Sequence, residues 1–220
     1  MLIECIDAGC LPYLKALHWQ KELSKKRQKE QIPDHLLLLE HPPVFTMGRR
    51  DSLSDLLVSK EWIQKNGMQL IKTDRGGRIT YHGPGQLVGY LIFNLKDSIP
   101  KLVWKIEEVL LKVLCQFHLQ AERDKNYPGI WIQNRKIASL GLHVDRQVTT
   151  HGFSLNVSCN LKPFQYIHPC GIKNREVTSL EKELGWGPSM KDVKDQILKA
   201  MVKIFKSDLS VSGIPQTHPE

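Results

Sequence analysis

Cys170 lies in Ile167-His168-Pro169-Cys170-Gly171-Ile172, where a proline and a glycine on either side set the shape of a loop. A thiol placed this way is presented rather than packed, and it becomes a nucleophile once it is a thiolate. A free cysteine has a pKa of about 8.5, so only a few per cent is thiolate at neutral pH. Each unit of downward shift corresponds to about 1.4 kcal/mol in favour of the charged form. A second group must supply that charge or take the proton, and the chain offers His82, Lys136, His151 and His168. His168 is nearest in sequence, yet residues two apart in an extended loop point the same way without having to meet. Lys136 is more informative. It lies in Arg135-Lys136-Ile137-Ala138-Ser139-Leu140-Gly141, alternating inward with Ala138 and Leu140. A lysine on an apolar strand face is costly unless it is paired or sheds its proton readily. The alternative is a lysine at the hairpin edge with its ammonium in water.

A second chemical signal is Arg75-Gly76-Gly77-Arg78-Ile79-Thr80-Tyr81-His82-Gly83-Pro84-Gly85-Gln86, with four glycines, a proline, two arginines and a histidine in twelve positions. Ile79 and Tyr81 alternate as in a short strand, and the apolar run from Leu87 to Leu95 reads as the next one. Gly76-Gly77 and Gly83-Pro84-Gly85 supply tight turns and bare backbone that a ligand can approach. Taken alone, the segment also fits a glycine-rich hairpin with a surface histidine.

The elements that must position these residues are those of one α+β domain. Leu2 to Asp7 predicts a strand, and Pro12 to Gln31 a helix with proline at a tolerated early position. His35 to Glu40 and Val44 to Met47 predict strands, and Ser59 to Asn66 a short helix capped by Gly67. Pro100 to His118 carries apolar residues at helical spacing. Three β-patterned runs follow, Ile130–Gln133, Lys136–Val144 and Val148–Val157, with turns at Asn134-Arg135 and Asp145-Arg146. Helix returns near Thr178, in two pieces around Gly185-Trp186-Gly187-Pro188. The segment from Ser207 to Glu220 is polar and proline-containing, and is expected to be a loosely ordered tail after a domain spanning 1–206.

The 220 residues suffice for one sizeable core, and 41% hydrophobic with 25% charged residues is ordinary for a globular protein. No apolar run approaches the ~18 residues that span a bilayer. The start of the chain resembles neither a secretory signal nor a transit peptide, so a cytoplasmic protein is expected. Five cysteines without a C-x-x-C pair predict reduced thiols, with Cys5 and Cys115 as small core residues. A zinc site from His151, Cys159, His168 and Cys170 lacks paired ligand spacing. The net charge of +8 concentrates in Lys21, Lys25, Lys26, Arg27 and Lys29, which form a solvated helix face or steer an acidic partner.

The twelve-residue segment, Arg135-Lys136-Ile137-Ala138-x-Leu140-Gly141, His151-Gly152-Phe153-Ser154-Leu155-Asn156, Pro169-Cys170-Gly171 and Thr178-Ser179-Leu180 occur in this order. Together they resemble the lipoyl(octanoyl) transferase family, over residues 2 to 206. The resemblance implies a mixed, mostly antiparallel sheet flanked by helices, as in biotin and lipoate ligase catalytic domains. It implies transfer of an octanoyl group from the phosphopantetheine thioester of octanoyl-acyl carrier protein to a lysine of a lipoyl domain, the first step of endogenous protein lipoylation. The acceptors implied are 2-oxoacid dehydrogenase E2 subunits and the glycine cleavage H protein. Carried over position by position, Cys170 matches the acyl-thioester nucleophile and Lys136 the residue that lowers its pKa. Arg75, Gly76, Gly77, Arg78, Ile79, Thr80, Tyr81 and His82 match substrate-contacting positions, as do Ser139, Leu140, Gly141, Gly152, Phe153 and Ser154. Phe153-Ser154 stands where Leu-Ala is common in the family, and Ser139 where alanine is common, so chain-length preference follows less directly than reaction type.

The mechanism expected is attack by the Cys170 thiolate, with Lys136 or His82 assisting deprotonation of the acceptor amine. Backbone N–H groups at Gly76-Gly77 or Gly171 are candidates for the oxyanion. A thioester-to-amide transfer runs downhill, so neither ATP nor metal is expected. Acyl carrier proteins and lipoyl domains are typically acidic, and Lys21–Lys29 or Arg49-Arg50 would receive them. An ATP-dependent lipoate or biotin ligase has no need of a cysteine nucleophile. A cysteine amidotransferase would take its acyl group from another lipoylated protein. A nucleic-acid-binding protein would explain only the charge; no nucleic acid or membrane partner is expected.

Overall fold

The computed structural model describes residues 2–50, 53–168 and 176–213. Cys170 lies outside the described residues.

The chain opens with β1 (Leu2–Cys10), α1 (Tyr13–Gln28), β2 (Asp34–Glu40) and β3 (Val44–Met47). After α2 (Lys60–Lys65) come β4 (Gln69–Lys72), β5 (Thr80–His82) and β6 (Gln86–Ile92), then the long α3 (Ile99–Gln116). The second half holds β7 (Glu122–Arg123), β8 (Ile130–Ile132), β9 (Arg135–Asp145), β10 (Val148–Asn156) and β11 (Glu176–Val177). It ends with α4 (Leu180–Leu184), α5 (Met190–Phe205) and β12 (Asp208–Gly213).

The large sheet runs β12-β1-β2-β6-β10-β9-β8-β7, with β11 beside β9. Pairing is parallel for β12, β1 and β2 and for β11, and antiparallel elsewhere. This is the mixed, mostly antiparallel sheet expected. The period-2 pattern sorts its side chains: Leu36 and Leu38 face one core, Leu37 and Leu39 the other. The first core is closed by α3 and α5, through Ile106, Val109, Leu110 and Val113 against Val193, Ile197 and Met201. The second is closed by α1, whose Tyr13, Ala16, Gln20 and Leu23 recur at helical spacing. Lys21, Lys25, Lys26 and Lys29 lie on the exposed side of that helix, while Arg27 pairs with Asp34 at 2.8 Å.

Four differences from the sequence reading stand out. The strand containing Tyr81 and the strand beginning at Gln86 do not form a hairpin. β5 joins β3 and β4 in a separate three-stranded sheet, while β6 runs through the middle of the large one. Gly83-Pro84-Gly85 therefore steps the chain between sheets, and Gly85 (φ +82) fits against the backbone of Ser158 and Cys159, where a Cβ would come within 2.7 Å. The expected tail begins instead with an ordered strand, β12, paired with β1 from Leu2↔Asp208. Cys5 is buried as expected, but Cys115 lies exposed on the outer side of α3. The β9–β10 turn also sits one position later than predicted, with Arg146 and Gln147 both left-handed.

Where α1, β2 and β6 meet, His41 is fully buried. Its Nδ1 lies 2.6 Å from the Leu11 carbonyl and its Nε2 2.7 Å from the Tyr90 hydroxyl. A carbonyl only accepts, so Nδ1–H donates to Leu11 and Nε2 accepts from Tyr90. Burial pushes the His41 pKa from 6.5 down to about 4, against the opposing Leu11 bond. The unfolded chain then binds more protons between these values, so stability is full above pH 6.5 and is lost as pH falls toward 4, by about 3 kcal/mol for this residue. Urea midpoints are expected to drop between pH 7 and 4.5, and the drop should be shallower for His41→Gln. Parallel profiles for the two proteins would contradict this assignment.

Candidate active site

Two cavities meet at the junction of β9, β10 and the glycine-rich segment. The inner one offers about 470 Å³ of space not filled by atoms, part of it open to solvent. Its walls come from Arg75, Gly77, Arg78, Ile79, Thr80 and His82 on one side, and from Ser139–Gly141 and Gly152–Ser154 on the other. Tyr13, Val88, Tyr90 and His151 complete it. The outer one is a groove of about 1090 Å³, and Lys136 lines it together with Gly76, Leu142 and residues of the α3 start. Gly77, Arg78, Leu140 and Gly141 belong to both, so they form a common wall.

Of the substrate-contacting positions inferred from sequence, thirteen of fourteen line one cavity or the other. Tyr81 does not. Its ring packs against Phe45 and Phe164, with centroids 5.2 and 5.6 Å away. Alternation along β5 explains this: Thr80 and His82 face the cavity while Tyr81 faces the satellite core behind it. Tyr13 escaped the sequence reading because it lies far from the motifs, and Tyr90 because it sits in the apolar run that follows the glycine-rich segment.

Arg75 is buried and shapes the segment around itself. Its Nε and Nη2 donate to the Thr46 hydroxyl at 3.1 and 2.9 Å, and Nη1 donates to the Gly76 carbonyl at 3.0 Å. Gly76 donates its N–H to the Leu142 carbonyl at 2.9 Å, which takes this group away from any oxyanion role. Glycine at 48 is required by the same packing, since a Cβ there would lie 2.4 Å from the Gly77 carbonyl oxygen. Arg78 reaches the other way and meets both carboxylate oxygens of Asp55 at 3.1 and 2.9 Å.

His82 is held at both ring nitrogens. Nδ1 lies 2.7 Å from the Gln86 Oε1 and Nε2 3.3 Å from the Thr46 hydroxyl. Burial lowers its pKa well below the ordinary value. A neutral imidazole with both nitrogens engaged is a wall of the inner cavity. It lines no part of the groove that holds Lys136, so the general-base role considered for it has no geometric support. His151 is committed too: its Nε2–H donates to Asp74 Oδ1 at 2.8 Å. That bond holds the Asp74 carboxyl below its usual range, while burial lowers the His151 pKa despite it.

Lys136 is 5% exposed, and its Nζ lies 5.2 Å from the centre of the Trp131 ring, an attractive position for a cation. Room for it exists because residue 129 is glycine, where a Cβ would approach the Lys136 Cε to 2.6 Å. The other described thiols make poor nucleophiles or lie elsewhere. Burial pushes Cys5 and Cys159 up to about 12, and Cys10 is raised by partial burial and Glu40.

The segment that carries Cys170 is anchored at both ends. Upstream, His168 donates its N–H to the Asp55 carbonyl at 2.8 Å, beside a bridge between Leu56 and Ile167. Downstream, β11 pairs Val177 with Lys136, and Thr178 donates its N–H to the Lys136 carbonyl at 2.9 Å. Arg135 and Glu183 clamp the same end through two bonds of 2.9 and 3.0 Å.

Comparison with known proteins agrees with this architecture. Residues 12–202 match the lipoyl protein ligase A/B catalytic domain. An octanoyltransferase of Caldicellulosiruptor bescii is 44% identical over 218 residues, covering 97% of this chain and 96% of that protein. An octanoyltransferase of Dictyoglomus thermophilum is 43% identical over 198 residues, covering 90% and 85%. A bipartite lipoate protein ligase of Thermoplasma acidophilum, studied with its E2 lipoyl domain, superposes with a TM-score of 0.76 at 14% identity, covering 98% of this chain and 89% of that one. The last likeness shows the shared fold, and the first three place the sequence: the chain belongs to the octanoyltransferases of the lipoyl protein ligase A/B family, the lipoyl(octanoyl) transferase family.

Proposed function

We propose that this octanoyltransferase takes its acyl group from the phosphopantetheine thioester of an acyl carrier protein and delivers it to a lysine of lipoyl domains through a thioester on Cys170. The observation that carries the reading is the surroundings of Lys136. Its buried ammonium lines the groove that shares a wall with the inner cavity, and the chain leaving the Cys170 segment bonds to its own backbone.

The Cys170 thiolate, stabilised by the Lys136 ammonium, attacks the donor carbonyl. The carbon–sulfur bond to phosphopantetheine breaks, and the released thiolate takes a proton from the Lys136 ammonium, which leaves Lys136 as a neutral amine. The acceptor lysine amine then attacks the Cys170 thioester, a carbon–nitrogen bond forms, Cys170 leaves as thiolate, and the amine loses its extra proton to Lys136. No bond to ATP or metal enters the balance. The inner cavity holds the octanoyl tail, at ~0.8 kcal/mol per buried methylene. The Thermoplasma ligase with its E2 lipoyl domain supports a lipoyl domain as acceptor, on a shared fold.

Intact-mass spectrometry after mixing with octanoyl-acyl carrier protein tests this directly. A single octanoyl adduct is expected on the unmodified protein, discharged by apo lipoyl domain and absent from Cys170→Ala. Lys136→Ala should slow adduct formation at least about 100-fold while leaving the thermal midpoint of a folded protein. Modification that appears only with ATP and free octanoate would replace this reading with a ligase.

Ser139→Phe fills part of the inner cavity. It is expected to raise KM for octanoyl donors about tenfold, while butyryl donors change little. Equal losses for both chain lengths would show that the tail lies elsewhere.

A further inference from the structure

The outer groove has a chemistry of its own, and it does not match the acyl tail. Lys136 lines the groove but not the inner cavity, so a thioester within its reach sits where the two spaces meet. An acyl donor extends from that carbonyl in two directions. The octanoyl chain accounts for the inner cavity, and whatever the thioester sulfur carries must leave by the groove, which is more than twice as large.

The walls are chemically mixed. Lys136, 5% exposed, lines the groove with Gly76 and Gly77, whose carbonyls already accept from Arg75 and from the Arg50 backbone. Ile99 and Val103 from the first turns of α3, with Leu142, give an apolar stretch, and Asn126 offers an amide beside it. Arg50 also lines the groove and is exposed. Its backbone N–H donates to the Gly77 carbonyl at 3.1 Å, and that of Arg49 to the Arg75 carbonyl at 2.9 Å. The other arginine on the groove, Arg78, already spends its charge on Asp55.

We infer that the groove is the seat of the donor's 4′-phosphopantetheine arm, with Arg50 binding its phosphate. The inference rests on the transferase reading above and adds where the arm runs. The arm carries two amides, a branched apolar pantoyl unit and a terminal phosphate, and the groove lining includes an amide in Asn126, an apolar pair in Ile99 and Val103, and a cation in Arg50. Its phosphate then lies at the surface, where the carrier protein remains outside. The inner cavity is blind to everything beyond the sulfur, so recognition of the donor is divided between a tail site and an arm site.

Three octanoyl thioesters of increasing length test this: those of N-acetylcysteamine, pantetheine and 4′-phosphopantetheine. The readout is kcat/KM for formation of the octanoyl adduct, followed by intact mass. For the unmodified protein, efficiency should rise about tenfold from the first to the second and about fivefold more when the phosphate is added, the scale of an exposed charge-assisted contact. Arg50→Ala should collapse the phosphate step below about twofold. Val103→Trp should raise KM for the two pantetheine thioesters more than for the N-acetylcysteamine thioester. Equal efficiency with all three donors, or a phosphate step that survives Arg50→Ala, overturns the inference while leaving the transferase reading standing. Failure of every thioester to acylate the unmodified protein overturns both.

Discussion

A line of buried hydrogen bonds crosses the molecule, and the arrangement of both cavities depends on it. Thr46 of the small sheet meets His82 Nε2, His82 Nδ1 meets Gln86, the Gln86 amide donates to the Asn156 carbonyl oxygen at 2.8 Å, and the Asn156 amide donates to the Thr178 carbonyl at 2.9 Å. Thr178 in turn rests on the backbone of Lys136. Each member lies almost out of reach of water. Losing one partner would strand the next in a low-dielectric interior, at a cost of about 1–3 kcal/mol. The line therefore holds together parts that apolar packing alone would leave free to slide: the small sheet, β6, β10 and the segment returning past Lys136.

The same economy recurs at the two ends of the Cys170 segment. The upstream end is tied to Asp55, whose carboxylate is gripped by Arg78, a wall of both cavities. The downstream end is tied to the strand of Lys136. Groups that shape the binding spaces also hold the described residues on either side of Cys170, so a shift in the cavity walls is transmitted to both flanks through bonds.

Much of this was legible in the residues. α3 and α5 carry clean helical periods, because each has one face against a core, and Val44–Met47, β9 and β10 read as β-patterned runs although β10 is buried along its whole length. The glycine segment and Lys136 stood out because their residue types are costly unless used. What was missed lacks a local signal. β7 and β11 have two residues each, too few for a period. β12 alternates serine with leucine and valine at a sheet edge, so it looks like a polar tail until its partner is known. Cys115 sits in an apolar helical run but just outside its buried stripe. The step between sheets at Gly83-Pro84-Gly85 is a tertiary choice: two neighbouring strands with a tight turn fit a hairpin equally well until β3 and β2 compete for them.

The pairing of β12 with β1 has a consequence for how the chain is made. It joins the two most distant stretches of the described sequence, so the edge of the large sheet cannot close until the last strand has left the ribosome. Until then β1 offers a full row of unpaired backbone groups, with the exposed Leu2 at its start. A nascent chain in that state is open to strand addition from its neighbours on a polysome. The late strand, which lines neither cavity, thus acts as a cover for the early one.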